Sequence, residues 1–239
     1  MSRTWNILDW NLRGINSQER CDEIKEKVDE RNCGIMCFQE TKRECFDHMF
    51  IRKFCPKRFY IYAFTPYVGN SGGIITIWNG NLFKGTVIDQ SKYHVTVEFI
   101  CNFSGFKWAL TNIYGPAYNE NRNEFLNWFM DIDSSAYRYL MIMGDFNLIR
   151  SPDDRNRGDR NANNILAFNT AIQSHDLVEI TLKGRSFTWS NMQDNPLLEK
   201  LDWVFTSPEW TTEFPNTMAI PLAKLTSDHI PIQIGRAHV

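Results

Sequence analysis

The feature that most constrains this chain is a series of short apolar segments with too little between them for helices. Residues 59–64 (FYIYAF), 73–78 (GIITIW), 93–100 and 106–114 are rich in aromatic and β-branched residues and are separated by Gly or Asn turns. Strands that succeed one another without a crossover pair antiparallel. Elsewhere the pattern changes. Strand-like runs at 5–10 (WNILDW) and 34–39 (GIMCFQ) bracket a helical stretch. Ser17 can cap that helix, which reaches about Arg31 with Cys21, Ile24 and Val28 on one face. A second helix over 119–132 turns Phe125, Trp128, Phe129 and Ile132 inward and leads to a strand at 139–143. A helix over 165–174 and strands near 186–190, 202–206 and 229–234 complete the pattern. Many strands among a few helices suit two packed sheets with helices outside.

The chain has 239 residues, 43% of them hydrophobic and 14% aromatic, enough apolar material for a sizeable core. The formal net charge is −2, so the chain as a whole is not drawn to nucleic acid or an anionic membrane, although a local basic patch is compatible with that balance. No apolar run reaches the length of a membrane span, and residues 1–9 are too short and polar for a secretory signal. The six cysteines therefore read as reduced thiols of an intracellular protein. Cys33 and Cys37 have the spacing of a zinc pair, but no second pair or His-x-His follows, and the stretch reads as strand. No linker divides the chain. The polar loop 150–164 (RSPDDRNRGDRNANN) is the best cut point, yet candidate site residues lie on both sides of it.

Polar residues gather where the apolar runs end. Asn11 follows the first strand and Glu40 the second. Asn112 and Tyr114 close 106–114. Asp145 and Asn147 follow "LMIMG", Asp202 opens "DWVF", and Asp228 and His229 precede "IPIQI". One acid beside a strand is ordinarily a turn or cap residue. A set of them brought together repels and loses hydration unless a cation sits among them. The donors are hard oxygens from Glu40, Asp145, Asn147, Asp228 and Asn11, which suit Mg²⁺ and a phosphate partner. His229 alone among five histidines has a tight acidic setting, and Asp202 can orient it as a proton carrier. His94, His175 and His238 read as structural. A serine hydrolase is disfavoured, since no Gly-x-Ser-x-Gly elbow is present.

The ordered set "WNLRG" (10–14), "FQETK" (38–42), "TNIYGP" (111–116), "IMGDFN" (142–147), "LDWVF" (201–205) and "SDHIPI" (227–232) resembles the endonuclease/exonuclease/phosphatase superfamily. "SGGIITIW", "FTWSN" and "LDW" look most like the endonuclease domain of plant LINE-type (non-LTR) retrotransposons. The resemblance implies a four-layer α/β sandwich, two facing mixed β-sheets flanked by helices, with the site at one end. It also implies roles. Asn11 and Glu40 match the first metal-site pair and Asp228 the second metal-site carboxylate. Tyr114 matches a contact to the scissile phosphate, and Asn147 a phosphate-binding group. Asp145 matches the aspartate that positions or deprotonates water, and Asp202 with His229 the acid–histidine pair. Whether Asp145 or His229 takes the proton stays open. Asp145 and Asn147 are expected to lie in an extended segment, with Gly144 allowing a tight turn and Phe146 returning to the core.

Some positions depart from the family. Arg13 stands where repair-type relatives carry an acid. The tail "GRAHV" (235–239) has no family counterpart, so residues 1–239 read as one domain with a short extension. No reverse transcriptase follows, which suggests an isolated or truncated endonuclease domain. The expected activity is Mg²⁺-dependent nicking of DNA, with Mn²⁺ as a substitute, leaving a 3′-hydroxyl. The alternatives are a phosphomonoesterase acting on phosphoinositides or nucleotides, and a catalytically silent relic. DNA is the expected partner, with no membrane and no obligate protein partner, and the location follows from it as nuclear. Asn112, Arg155 and Asn191 are candidate substrate contacts. Lys42, Arg43, Arg150, Arg157 and Arg160 are further backbone candidates, interleaved with acids. The segment 190–200 (SNMQDNPLLEK) occupies the place of a groove-probing hairpin but carries no Arg, which predicts weak base-edge reading and a larger role for DNA shape.

Overall fold

The computed structural model describes residues 6–68, 71–159, 161–224 and 226–236. The first apolar run is strand β1 (Asn6–Asn11). Ser17 then caps α1 (Gln18–Glu30) by accepting from the Arg20 amide, and α1 returns the chain to β2 (Cys33–Gln39), parallel to β1. After the short helix α2 (His48–Ile51), β3 (Phe59–Val68) and β4 (Ser71–Asn79) form an antiparallel hairpin. The chain then builds a second sheet from β5 (Phe83–Gln90), β6 (His94–Cys101) and β7 (Lys107–Tyr114), all antiparallel. Helix α3 (Arg122–Asp131) carries it across to β8 (Leu140–Asp145), parallel to β7. Asn161 caps α4 (Ala162–Ser174), followed by β9 (Val178–Glu179) and the small ribbon β10 (Trp189–Ser190) with β11 (Leu198–Glu199). Strand β12 (Asp202–Thr206), helix α5 (Pro208–Glu213), β13 (Thr217–Pro221) and β14 (Ile232–Arg236) finish the fold.

Two six-stranded sheets result, ordered β13-β14-β1-β2-β4-β3 and β5-β6-β7-β8-β12-β9. Each holds one parallel pair joined through a helix, so both are mixed. Side-chain alternation makes the layers visible. Ile7, Ile35, Cys37, Met141 and Met143 face the core between the sheets. Their neighbours Leu8, Met36 and Phe38 face outward into a second core with Ile24 and Val28 of α1. Leu140, Ile142 and Phe205 face a third core with Phe125, Phe129 and Phe168 of α3 and α4. Strands buried on both faces read as unbroken apolar runs, which is why the sequence shows them clearly. Helix, sheet, sheet, helix is the four-layer α/β sandwich expected. Cys33 and Cys37 would share a face by strand alternation alone, but a register shift between Cys33 and Ile35 turns them into two different cores, so they form no zinc pair, and all six cysteines are free. Gly235 and Arg236, read from sequence as tail, instead pair with Met218 and Thr217 as the end of β14. Residues 237–239 lie outside the described residues. No described helix is long and apolar enough to cross a membrane.

Candidate active site

Strand register builds the site. Three strands of the second sheet end in line: Tyr114 pairs with Asp145, and Asp145 with Asp202. In the first sheet Asn11 lies beside Gln39, and Glu40 is the next residue. The segment entering β14 brings in Asp228 and His229. It is pinned by Ser227, whose hydroxyl donates to the Asn11 carbonyl (2.8 Å), and by the Trp10 indole, which donates to the His229 carbonyl (3.1 Å). Thr188 Oγ1 accepts from the amides of Leu201 and Asp202 (3.0 and 3.1 Å), while Trp189 bridges His229. These bonds fix the Asp202–His229 pair from both sides.

His229 Nδ1 lies 2.9 Å from Asp202 Oδ2, and Nε2 points to Asp145 Oδ2 at 3.7 Å. All three side chains are buried. Burial alone pushes the imidazole down, but Asp202 and then Asp145 outweigh it and leave His229 raised to about 9. Burial pushes the Asp145 carboxyl up to about 7, against the pull of His229. Asp145 is further held by Asn11 Nδ2 (2.7 Å), the Asn147 amide (2.9 Å) and Asn147 Nδ2 (3.0 Å). The two carboxylates thus favour the charged imidazole, while burial disfavours ionisation of Asp145. Tyr114 is mostly buried, and burial, with Glu40 and Asp145 nearby, raises its pKa and keeps the phenol neutral.

Asn147 differs from the extended geometry expected. Its φ is +51°, and its amide closes a turn onto Asp145 Oδ1 while its side chain also reaches the Gly115 carbonyl (2.9 Å). Asn tolerates this left-handed position, and the Asp side chain supplies the turn bond. Asn147 therefore wraps around Asp145 rather than standing beside it. Phe146 does return to the core, fully buried.

Two groups of metal-compatible residues lie at this end. Asp145, Asp202 and His229 offer ligand atoms within 4.8 Å of one another. Those atoms are already committed to each other through the histidine. The expected set of Glu40, Asp228 and Asn11 has oxygen donors only. Arg13 brings Glu40 and Asp228 together, with Nη1 3.4 Å from Glu40 Oε2 and Nε 3.3 Å from Asp228 Oδ2. Asp228 Oδ2 also accepts from the Trp189 indole (2.9 Å), whereas Asp228 Oδ1 is buried with no hydrogen-bond partner. An orphaned carboxylate oxygen beside a second buried acid fits a hard cation, and we favour this set.

A cleft of 550 Å³ opens over Glu40, Tyr114, Asp145, Asn147 and His229. Arg155 lines it but is paired with Glu199 (3.1 Å). Asn112, expected to contact substrate, is instead fully buried between the sheets. Its Oδ1 accepts from Gln39 Nε2 (2.7 Å), and its Nδ2 donates to the Ile75 carbonyl (3.1 Å) and Thr76 Oγ1 (3.2 Å). Asn191 is also displaced from the expected role, because its Oδ1 accepts from the Leu197 amide (2.9 Å) and closes the 190–200 hairpin outside the cleft lining. The other basic candidates mostly tie loops down: Lys42 to Glu40, Arg150 to Glu179, Arg157 to the Asn195 carbonyl, and Arg43 over the Phe50 ring. Arg160 lies outside the described residues.

Three residues escaped the sequence reading. Arg122 lines the cleft with its guanidinium on Asn119 Oδ1 (2.6 Å) and the Ala117 carbonyl (3.3 Å). Trp189 forms the cleft wall. Asp9 is buried behind Asn11 and bonded by Gln39 (2.7 Å), its pKa raised well above the usual range by burial and by Asp202. A carboxylate inside the buried run "NILDWN" was the readable signal for Asp9.

A sandwich whose open end carries a buried acid–histidine–acid row is the architecture of phosphoester hydrolases. Residues 10–229 match the Endonuclease/Exonuclease/phosphatase family, and the chain belongs to it. Members hydrolyse phosphoester bonds and generally depend on a divalent metal. Among solved structures, the chain is similar to the AP endonuclease LMAP from Leishmania major (TM-score 0.74, 15% identity, 100% of this chain and 89% of that one). It is also similar to the endonuclease domain of TRAS1, a telomere-specific non-LTR retrotransposon (TM-score 0.73, 11% identity, 98% of each chain). The catalytic domain of human Nocturnin with bound sulfate shares the fold (TM-score 0.62, 16% identity, 98% and 93%).

Proposed function

We propose that this protein is a divalent-metal-dependent phosphodiesterase that nicks one strand of DNA and leaves a 3′-hydroxyl, an endonuclease of LINE-retrotransposon type. The observation that carries the reading is the row Asp145–His229–Asp202 beneath an open cleft, with His229 Nδ1 2.9 Å from Asp202 and Nε2 3.7 Å from Asp145. Asp145 accepts the proton of the attacking water, its pKa being matched to that task. The protonated His229 donates to a non-bridging phosphoryl oxygen as charge builds there, and Asp202 stabilises the imidazolium. The neutral Tyr114 phenol donates a further hydrogen bond. The new P–O bond forms as the P–O3′ bond breaks, and the 3′-oxygen leaves with that electron pair and takes a proton from solvent. Glu40, Asp228 and Asn11 would hold Mg²⁺, or Mn²⁺ in its place, which when bound neutralises phosphoryl charge.

Arg122 in the cleft wall, its guanidinium on the neutral acceptors Asn119 Oδ1 and the Ala117 carbonyl, favours a polyanionic strand over a small monoester. The motifs "SGGIITIW", "FTWSN" and "LDW" support the plant LINE-type reading, and a nuclear location follows from the substrate. Supercoiled plasmid with and without Mg²⁺, beside a phosphoinositide control, tests the proposal. Nicking that EDTA abolishes is expected. Phosphoinositide turnover without nicking would move the protein to the monoesterases, and no turnover of either would make it a relic. Asp145→Ala or His229→Ala should each slow hydrolysis by about 100-fold or more with the fold intact. Nicking at the parental rate by either variant would refute the site.

A further inference from the structure

Arg13 stands in the cleft with no part in the proton transfers above, yet the loop around it is built to place it. Its backbone is left-handed, with φ +55°, and its amide donates to Asn11 Oδ1 (3.0 Å). The next amide, of Gly14, donates to the Glu40 carbonyl (2.7 Å). The 11–14 loop is thereby laid along the residues that follow β2. The guanidinium reaches Glu40 and Asp228 together, at 3.4 and 3.3 Å. The Glu40 and Asp228 side chains are 5% and 16% exposed, while that of Arg13 is 48% exposed. Two acids this withdrawn from water require nearby cations: Lys42 lies 3.1 Å from Glu40 Oε1 alone, and the Arg13 guanidinium supplies the one unit of charge that reaches both acids. It does so from an exposed stem that can swing away.

We propose that Arg13 competes with the divalent ion for the Glu40–Asp228 pair and so sets the metal affinity of the site. The inference rests on the metal assignment made above. A +1 charge bound to both acids offsets the attraction a +2 ion would feel, so the ion has to displace the guanidinium or bind beside it against repulsion. Asp228 Oδ1, which Arg13 does not touch, offers the ion its first oxygen.

Titration of the whole protein with Mn²⁺, followed by electron paramagnetic resonance of the free ion and without nucleic acid, tests this. Arg13→Gln should bind Mn²⁺ about tenfold more tightly than the parent, the scale of losing two partly exposed ion pairs. Arg13→Lys, which keeps the charge, should stay near the parent, and Arg13→Met serves as a second neutral variant. Unchanged or weaker binding in both neutral variants would overturn the proposal. Glu40→Gln separates the two readings. If it weakens Mn²⁺ binding while the neutral variants do not tighten it, only the competition falls. If Glu40→Gln leaves Mn²⁺ binding unchanged, the ion sits elsewhere and the metal assignment falls with it.

Discussion

At the scale of single residues, Gly144 shows how little freedom the site has. Its φ is +133°, and a Cβ there would stand 2.1 Å from the Ile113 carbonyl oxygen, a backbone atom of the neighbouring strand. Gly144→Ala must therefore both strain its own backbone and push β7 from β8. We expect a loss of about 2–4 kcal/mol, read as a lower urea midpoint, with Asp145 displaced at the same time. The place of Gly144 and Asp145 at the mouth of β8 was legible from "MGDFN", although one acid beside a strand is ordinarily a turn or cap residue and only the gathering of several singles it out. The conformation of Asn147 was not legible. An Asp-x-Asn segment can be extended or turned, and the choice is made by the bond from the Asn147 amide to Asp145 Oδ1, which only three-dimensional context reveals. The same holds for Asp228, whose motif gives its neighbourhood but not its contact with Trp189.

At the scale of elements, the twice-buried strands were readable, and of the four edge strands of the six-stranded sheets only β3 was. Strand β12 falls at the expected residues, while β5 went unseen because most of its residues face solvent and Gly85 interrupts its pattern. Helix α5 is short, and its signal was the Ser207–Pro208 start. Asn112 illustrates a different error. It sits two residues before Tyr114 on β7, so the pleat gives both the same face, but only Tyr114 reaches the open end. One step deeper, that face looks onto the other sheet. Asn112→Ala removes the partner of Gln39 and Thr76 in a dry interior. We expect about 1–3 kcal/mol of destabilisation by denaturant, with KM for substrate unchanged. A raised KM without lost stability would restore Asn112 to the cleft.

At the scale of the molecule, one group remote from the site should withdraw stability in mild acid. His94 is buried against the Trp128 ring, with ring centroids 4.4 Å apart and nearly parallel. Burial lowers its pKa from 6.5, and Asp89 at 3.0 Å offsets this only in part. The unfolded chain therefore binds more protons than the folded one once pH drops below about 6.5. The neutral form stabilises the fold above that value, and the contribution is lost as pH falls through the folded pKa. Between pH 7.5 and 5.5 the urea midpoint of His94→Gln should fall less, or rise more, than that of the parent. An equal change in both would leave His94 with no part in the pH dependence.

The clamp beneath the site has a mechanical consequence. Gln39 Nε2 donates to Asp9 in its own sheet and to Asn112 in the other, so the two walls that carry the reactive groups are riveted at their base. Jaws riveted there resist opening and shutting around what they grip. For the DNA substrate proposed above, accommodation then falls to the incoming strand, and pliable or already crooked stretches should be cut first, the protein serving as the anvil.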